Sequence, residues 1–306
     1  MFVGHACLAF AVAAFGAHRL GWSRATALRV AVLAGLFAAL PDVDVVYGLA
    51  GLVAPAPGAG PIPVESFWDA GNQVHRGVTH ALPVAAVATV AVALSARSEL
   101  HLRAVGGGLL LALIPGVTLL SGLLAGAVTA VFVVGAAALV VAARRRDVSP
   151  RVVGTAALVG LVTHPFGDLL TGEPPAFLYP FDITLVAERV VLSADPTLHL
   201  LGAFGVELAT VWLALAAYFH ISGKRPHSHV DRRAVLGVAY AGAALALPAP
   251  TLEVSYHFVF SVLAVGFVGA APPSFERLRT WRAAVTGLAA VSLAAVAYLM
   301  VYLIVG

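Results

Sequence analysis

The chain has 306 residues, of which 60% are hydrophobic and only 11% charged, with a mean hydropathy of +0.95. No soluble domain hides that much apolar surface, so the composition specifies a polytopic helical membrane protein. The net charge of +3 comes from basic residues in short groups between apolar runs, which excludes a nucleic-acid patch, and the single cysteine, Cys7, excludes a disulfide framework or a cysteine-rich zinc cluster.

In chain order, apolar runs predict an all-α bundle of about ten membrane-spanning helices, at about 3–18, 25–40, 78–96, 103–120, 122–143, 152–170, 198–219, 234–249, 254–271 and 283–305. The first lacks a basic n-region and reads as a retained helix rather than a signal peptide. Residues 54–74, rich in Pro and Gly, read as a loop with no helix of its own, and residues 171–197 as a second long loop with an interfacial helix over Thr184–Leu192. Both read as lids. No internal repeat of the kind many transporters carry is visible. This divides the chain into a membrane core, residues 1–197, and additional transmembrane helices, residues 198–306.

Threading the chain through these spans puts all 18 basic residues except Arg76 and Arg189 on one side. The positive-inside rule makes that side cytoplasmic and the protein a multi-pass cell (inner) membrane protein. The opposite, extracytoplasmic side receives most of the carboxylates together with His5, His75, His80, His164, His199 and His257.

Metal-ligand residue types recur at those helix ends. His5 begins the first span. Asp42 and Asp44 follow Pro41 at the end of the second, placed to turn toward one cation or to bridge two. His75 and His80 straddle the entry to the third span, with Gly77 giving the turn freedom to bring both rings to one point. His164 and Asp168 share a helix face four residues apart, with Pro165 between them as a candidate kink. Arg76, a cation among metal ligands, suggests a bound phosphate or carboxylate between the charges. His199 and Glu207, eight residues apart on the seventh span, are additional candidates, and Glu253 with His257 most simply lies at the interface.

Taken together, Gly4-His5, Pro41-Asp-Val-Asp44, His75-Arg-Gly-Val-Thr-His80 and Gly160 through His164, Asp168, Thr171 and Pro180 resemble the membrane-bound family of LexA-binding, inner-membrane-associated hydrolases, in order and spacing over about residues 1–185. The resemblance implies a metal and hydrolysis without naming a substrate. The chain departs from the pattern at Pro165 and in its long hydrophobic extension.

The metal ligands expected on these grounds are His5, Asp42, Asp44, His75, His80, His164 and Asp168, and the candidate catalytic residues are Arg76, Asp44 and His80. Seven ligands overfill one tetrahedral ion and suffice for two. Nitrogen and oxygen donors without thiolate suit zinc, with manganese or iron as alternatives. The expected activity is metal-assisted hydrolysis of a phosphoester, a phospholipid or lipid-linked phosphate, with the bilayer as the surrounding partner and no nucleic acid. Two other classes compete: an ion or proton transporter, which needs polar residues across the bilayer, and a non-catalytic protein in which a metal staples helices together.

Overall fold

The computed structural model describes residues 2–53, 64–170, 174–224, 230–252, 254–270 and 280–305. They are helical or irregular, with no strand among the described residues. The chain forms two compact units, Met1–Arg189 and Val190–Gly306. Of the sequence expectations, residues 54–63 of the first loop, Thr171 and Glu253 lie outside the described residues.

The first unit holds α1 (Phe2–Arg19), α2 (Arg24–Ala38), α3 (Gly48–Val53), α4 (Val64–Asn72), α5 (Leu82–Ser95), α6 (Leu100–Arg145) and α7 (Pro150–Gly167). Short 3₁₀ turns cover Pro41–Tyr47, Val78–His80 and Asp168–Leu170. Ser23 and Ser149 cap α2 and α7, their hydroxyls accepting the Thr26 and Val152 N–H groups at 3.2 and 3.4 Å.

A straight α6 of 46 residues would be about 69 Å long, more than twice the hydrocarbon core. It is instead two antiparallel arms, because Gly122 adopts φ 85°, ψ 177°, a conformation open essentially to glycine alone. Arg144, at the end of the second arm, donates to the carbonyls of Ser95 and Arg97 just before the first arm begins (3.2 and 2.9 Å). The break falls where the sequence separates its fourth and fifth spans.

Close approach between helices comes from small residues, as expected where lipid supplies no hydrophobic drive for association. A Cβ on Gly35 would sit 3.0 Å from the Ala6 carbonyl oxygen, and one on Gly160 would sit 2.8 Å from Phe37 Cβ. α7 therefore lies tightly on α2 and also packs on α1 and α5. The loops at one end are basic and meet each other, with Arg151 over the Trp22 ring at 5.1 Å. The carboxylates and histidines of the sequence motifs gather at the other end.

Two loop expectations fail. Residues 64–72 form α4, because the Pro- and Gly-rich composition stops at Pro63 and Phe67 finds a partner in α3, its ring 2.8 Å from where a Gly48 Cβ would lie. Thr184–Leu192 is not helical. Thr184, Val186, Val190 and Val191 are β-branched, and Leu185 and Val191 remain exposed.

The second unit contains α8 (Pro196–Ser222), a 3₁₀ segment over Arg232–Gly242, α9 (Ala243–Ala246), α10 (Tyr256–Ala264), α11 (Phe267–Ala270) and α12 (Thr280–Val305). Its core joins Leu200 and Phe204 to Phe258, Val262, Val291 and Tyr298. The expected eighth span is thus mostly 3₁₀, where Gly237 lets the segment approach the Ala290 backbone of α12, and the ninth is broken at Gly266.

Among the described residues, five helices are long and apolar enough to cross a membrane. α6 counts once among them although its arms make two passes, and α5 is a shorter apolar helix.

Candidate metal centre

Each candidate residue of the first unit is delivered by a helix end. His5 lies in the first turn of α1, Asp42 and Asp44 in the 3₁₀ turn after α2, and His75 and Arg76 in the turn after α4. His80 closes the 3₁₀ turn that feeds α5, His164 sits in the last turn of α7, and Asp168 opens the turn beyond it. α1 begins where α2 and α7 finish, so antiparallel packing brings all eight side chains into one cluster. α7 runs through Pro165 to Gly167 without a break.

Two imidazoles and two carboxylates form its centre. Asp42 Oδ1 is 3.7 Å from His80 Nε2 and 3.6 Å from His164 Nε2, and Asp168 Oδ2 is 3.4 and 3.7 Å from the same two nitrogens. None of these is a hydrogen bond. They lie close to the ligand–ligand edges of about 3.3–3.4 Å in a tetrahedron with bonds of about 2.0–2.1 Å. The other oxygen of Asp168, Oδ1, faces His5 Nε2 at 3.3 Å and Arg76 Nε at 3.6 Å.

Backbone and hydroxyl groups fix how the rings point. His164 Nδ1–H donates to the Ala38 carbonyl at 2.6 Å. Thr79 gives its proton to the Pro41 carbonyl (3.4 Å) and accepts from His80 Nδ1 (3.1 Å). Both histidines therefore turn an Nε2 lone pair inward, the role outer-sphere partners play for metal-ligating histidines. Neither Ala38, whose contribution is a backbone atom, nor the Thr79 hydroxyl, nor Gly167, where a Cβ would come within 2.5 Å of His5 Cε1, is marked as part of the site by residue type alone.

Of the two arrangements the sequence leaves open to Asp42 and Asp44, convergence on one point is not the one formed. With three residues per turn, a 3₁₀ segment sets positions i and i+2 about 120° apart. Asp44 therefore faces the opposite edge of the His80 ring, 3.7 Å from Nδ1, and accepts a 3.0 Å hydrogen bond from His75 Nδ1–H. The left-handed backbone in the next turn also falls elsewhere than expected. Arg76 has φ 63°, while Gly77 has φ −80°.

The cluster holds three buried carboxylates and a single guanidinium, so with neutral histidines it carries a formal charge of −2. Burying charge without a counterion costs several kcal/mol per ion, which a bound cation relieves. The donors fit one: His5, His164 and Asp168, then Asp42, His80 and His164, then Asp44, His75 and His80 each bring ligand atoms within 4.8 Å of one another. His80 and His164 are shared between groups, so the three sets describe adjoining positions rather than three ions.

The cluster is nearly closed. Only the side chains of His75 and Arg76 are appreciably accessible, at 12% and 18%. Residues 174–181 strap this edge, with Ala176 N–H on the Arg76 carbonyl (3.4 Å) and Leu82 N–H on the Phe177 carbonyl (2.8 Å). Ser121, at the α6 break, donates to Tyr179 at 2.9 Å.

All three donor groups belong to the first unit. The additional candidates His199 and Glu207 lie in the second, where His199 is buried and its Nδ1 accepts the Leu192 N–H at 3.1 Å, a local contact that fastens the entry to α8.

A family model described as YdjM inner membrane protein matches residues 1–229, and the chain belongs to that family. The match covers the first unit and all of α8. No curated protein and no solved structure matches the chain. The family description gives a membrane location and no reaction.

Proposed function

We propose that this YdjM-family membrane protein is a metal-dependent hydrolase of a phosphoester at the membrane surface, a phospholipid or lipid-linked phosphate. The supporting observation is the buried, anion-rich cluster whose Nε2 and carboxylate atoms stand at coordination-edge distances without hydrogen bonds. When bound, a divalent ion, zinc by this donor set with manganese or iron as alternatives, supplies Lewis acidity and lowers the pKa of a water. Asp168 offers one oxygen to His80 and His164 and the other to His5, which makes it the natural bridging carboxylate if two ions bind. Arg76, at the accessible edge, is placed to hold phosphoryl oxygens as charge develops. By the positive-inside rule the cluster faces the extracytoplasmic side.

The near-complete burial favours a second reading, in which the metal only staples α1, α2, α5 and α7 together. A proton path finds less support. Among the described residues of the first unit, the buried titratable side chains all sit at one end.

Elemental analysis of detergent-purified protein, followed by phosphate release from a panel of lipid phosphates with and without chelator, separates these readings. Metal with chelator-sensitive turnover supports the hydrolase, metal without turnover on any phosphoester supports the staple, and no transition metal above background defeats both.

A further inference from the structure

At the basic end, opposite the cluster, the two arms of α6 diverge enough to leave a groove of about 450 Å³. Its floor is hollow because Ala104 and Gly107 on the first arm face Ala137 on the second. Its deeper wall is apolar, from Leu110, Val133 and Val140. At its mouth stand Arg103 and Arg144. Arg144 is already fixed there, one guanidinium nitrogen being held by the Ser95 and Arg97 carbonyls.

We infer that this groove binds an anionic phospholipid, one acyl chain lying between the arms and the headgroup phosphate against Arg103 and Arg144. Charge complementarity selects that occupant. Around the mouth, residues 95–103 and 144–147 supply Arg97, Arg103, Arg144, Arg145 and Arg146 against only Glu99 and Asp147. Basic pockets between transmembrane helices are recurrent seats for anionic headgroups, each guanidinium near the surface contributing about a fivefold gain in affinity. Length fits as well. From Arg103 to Leu111 the first arm rises about 12 Å, enough for the upper part of an acyl chain whose remainder continues into the bilayer. A protein helix, some 10 Å across, would need a wider channel than side chains of this size leave. The site is independent of the metal cluster, being at the other end of the same unit.

Native mass spectrometry of the full-length protein in mild detergent, titrated with dioleoyl phosphatidylglycerol or dioleoyl phosphatidylcholine, tests this. The expected result is one phosphatidylglycerol retained at activation energies that strip phosphatidylcholine. Arg103→Ala should weaken that retention about fivefold while leaving the weak phosphatidylcholine signal unchanged. Gly107→Leu should abolish it by filling the groove, and a Cβ at this position meets nothing within 4 Å. Metal content should be unaffected by either change. Equal retention of the two lipids by the wild type, or phosphatidylglycerol retention that survives both substitutions, overturns the assignment. Loss in Gly107→Leu but not in Arg103→Ala shows an apolar groove indifferent to headgroup charge and overturns it too.

Discussion

Asp42→Asn separates a cation site from a structural polar cluster, because the two predict opposite signs in metal-free protein. Asp42 and Asp168 each approach His80 Nε2, at 3.7 and 3.4 Å, so the oxygens concerned are no more than about 7 Å apart. Two like charges at about 7 Å repel by roughly 2.4 kcal/mol at an effective dielectric constant of 20. At pH 8, where an ordinary imidazole is neutral, removing one of them should stabilise the chelated protein by roughly 1–2 kcal/mol, a rise of a few degrees in Tm. The same change deletes a ligand. Zinc at about a hundred times its Kd, which should stabilise the wild type by about 2.7 kcal/mol, should then give Asp42→Asn little or nothing. Thermal unfolding in detergent, with chelator and with added zinc, reads both effects. If Asp42→Asn lowers the Tm of chelated protein, the carboxylate is a structural hydrogen-bonding group and the cation argument fails.

Three further outcomes follow from particular contacts. Gly167→Ala should displace the His5 ring by about 1 Å and weaken metal binding roughly 10- to 100-fold in a competition assay, although no ligand is removed; unchanged affinity would place His5 outside the coordination sphere. Gly122→Ala, forced into a conformation closed to side chains, should cost about 1–3 kcal/mol of stability and leave metal content per folded chain unaltered, checked by thermal unfolding and elemental analysis. In a Cys7-free background, an impermeant thiol reagent on whole cells should label a cysteine at position 176 and not one at 147; the reverse pattern would turn the cluster toward the cytoplasm.

The cluster was legible because charged residues are few in this apolar chain, and histidine and aspartate recur at the same-side ends of successive helices. Seven candidate ligands and Arg76 meet in the structure for the reason the topology suggested: antiparallel spans return to the same end. The break at Gly122 was legible from length alone, since one bilayer takes about half of an apolar run this long. What escaped the sequence depends on neighbours rather than on residue type. The Ala38 carbonyl can be assigned to His164 only once α2 and α7 are known to touch, and α4 forms where Gly48 and Gly51 leave room for Phe67 and Ser66. At residues 232–242, two glycines and close packing on α12 favour the tighter 3₁₀ form over the α-helix that hydropathy implies.

Arg76 is where the enzyme and staple readings part. In the sequence its charge calls for a bound anion, yet Asp168 is an anion 3.6 Å away, and the guanidinium therefore has a purely internal function available to it. Its backbone argues for more than that. A non-glycine residue at φ 63° is held in a sparsely populated conformation at a cost of order 1–3 kcal/mol, and the strap residue Ala176 donates to its carbonyl there. A scaffold has little reason to keep this strain beside the glycine that would relieve it. A site that must present a guanidinium at its only accessible edge does. Strain, exposure and position thus favour a working arginine over a counterion. The distinction is visible in Arg76→Lys, which keeps the positive charge beside Asp168 and loses the planar fork. Unchanged metal content with phosphoesterase turnover reduced by roughly 10² or more would be the signature of transition-state contact. Loss of metal in Arg76→Lys would instead return the residue to a structural role and leave the phosphate assignment without its principal support.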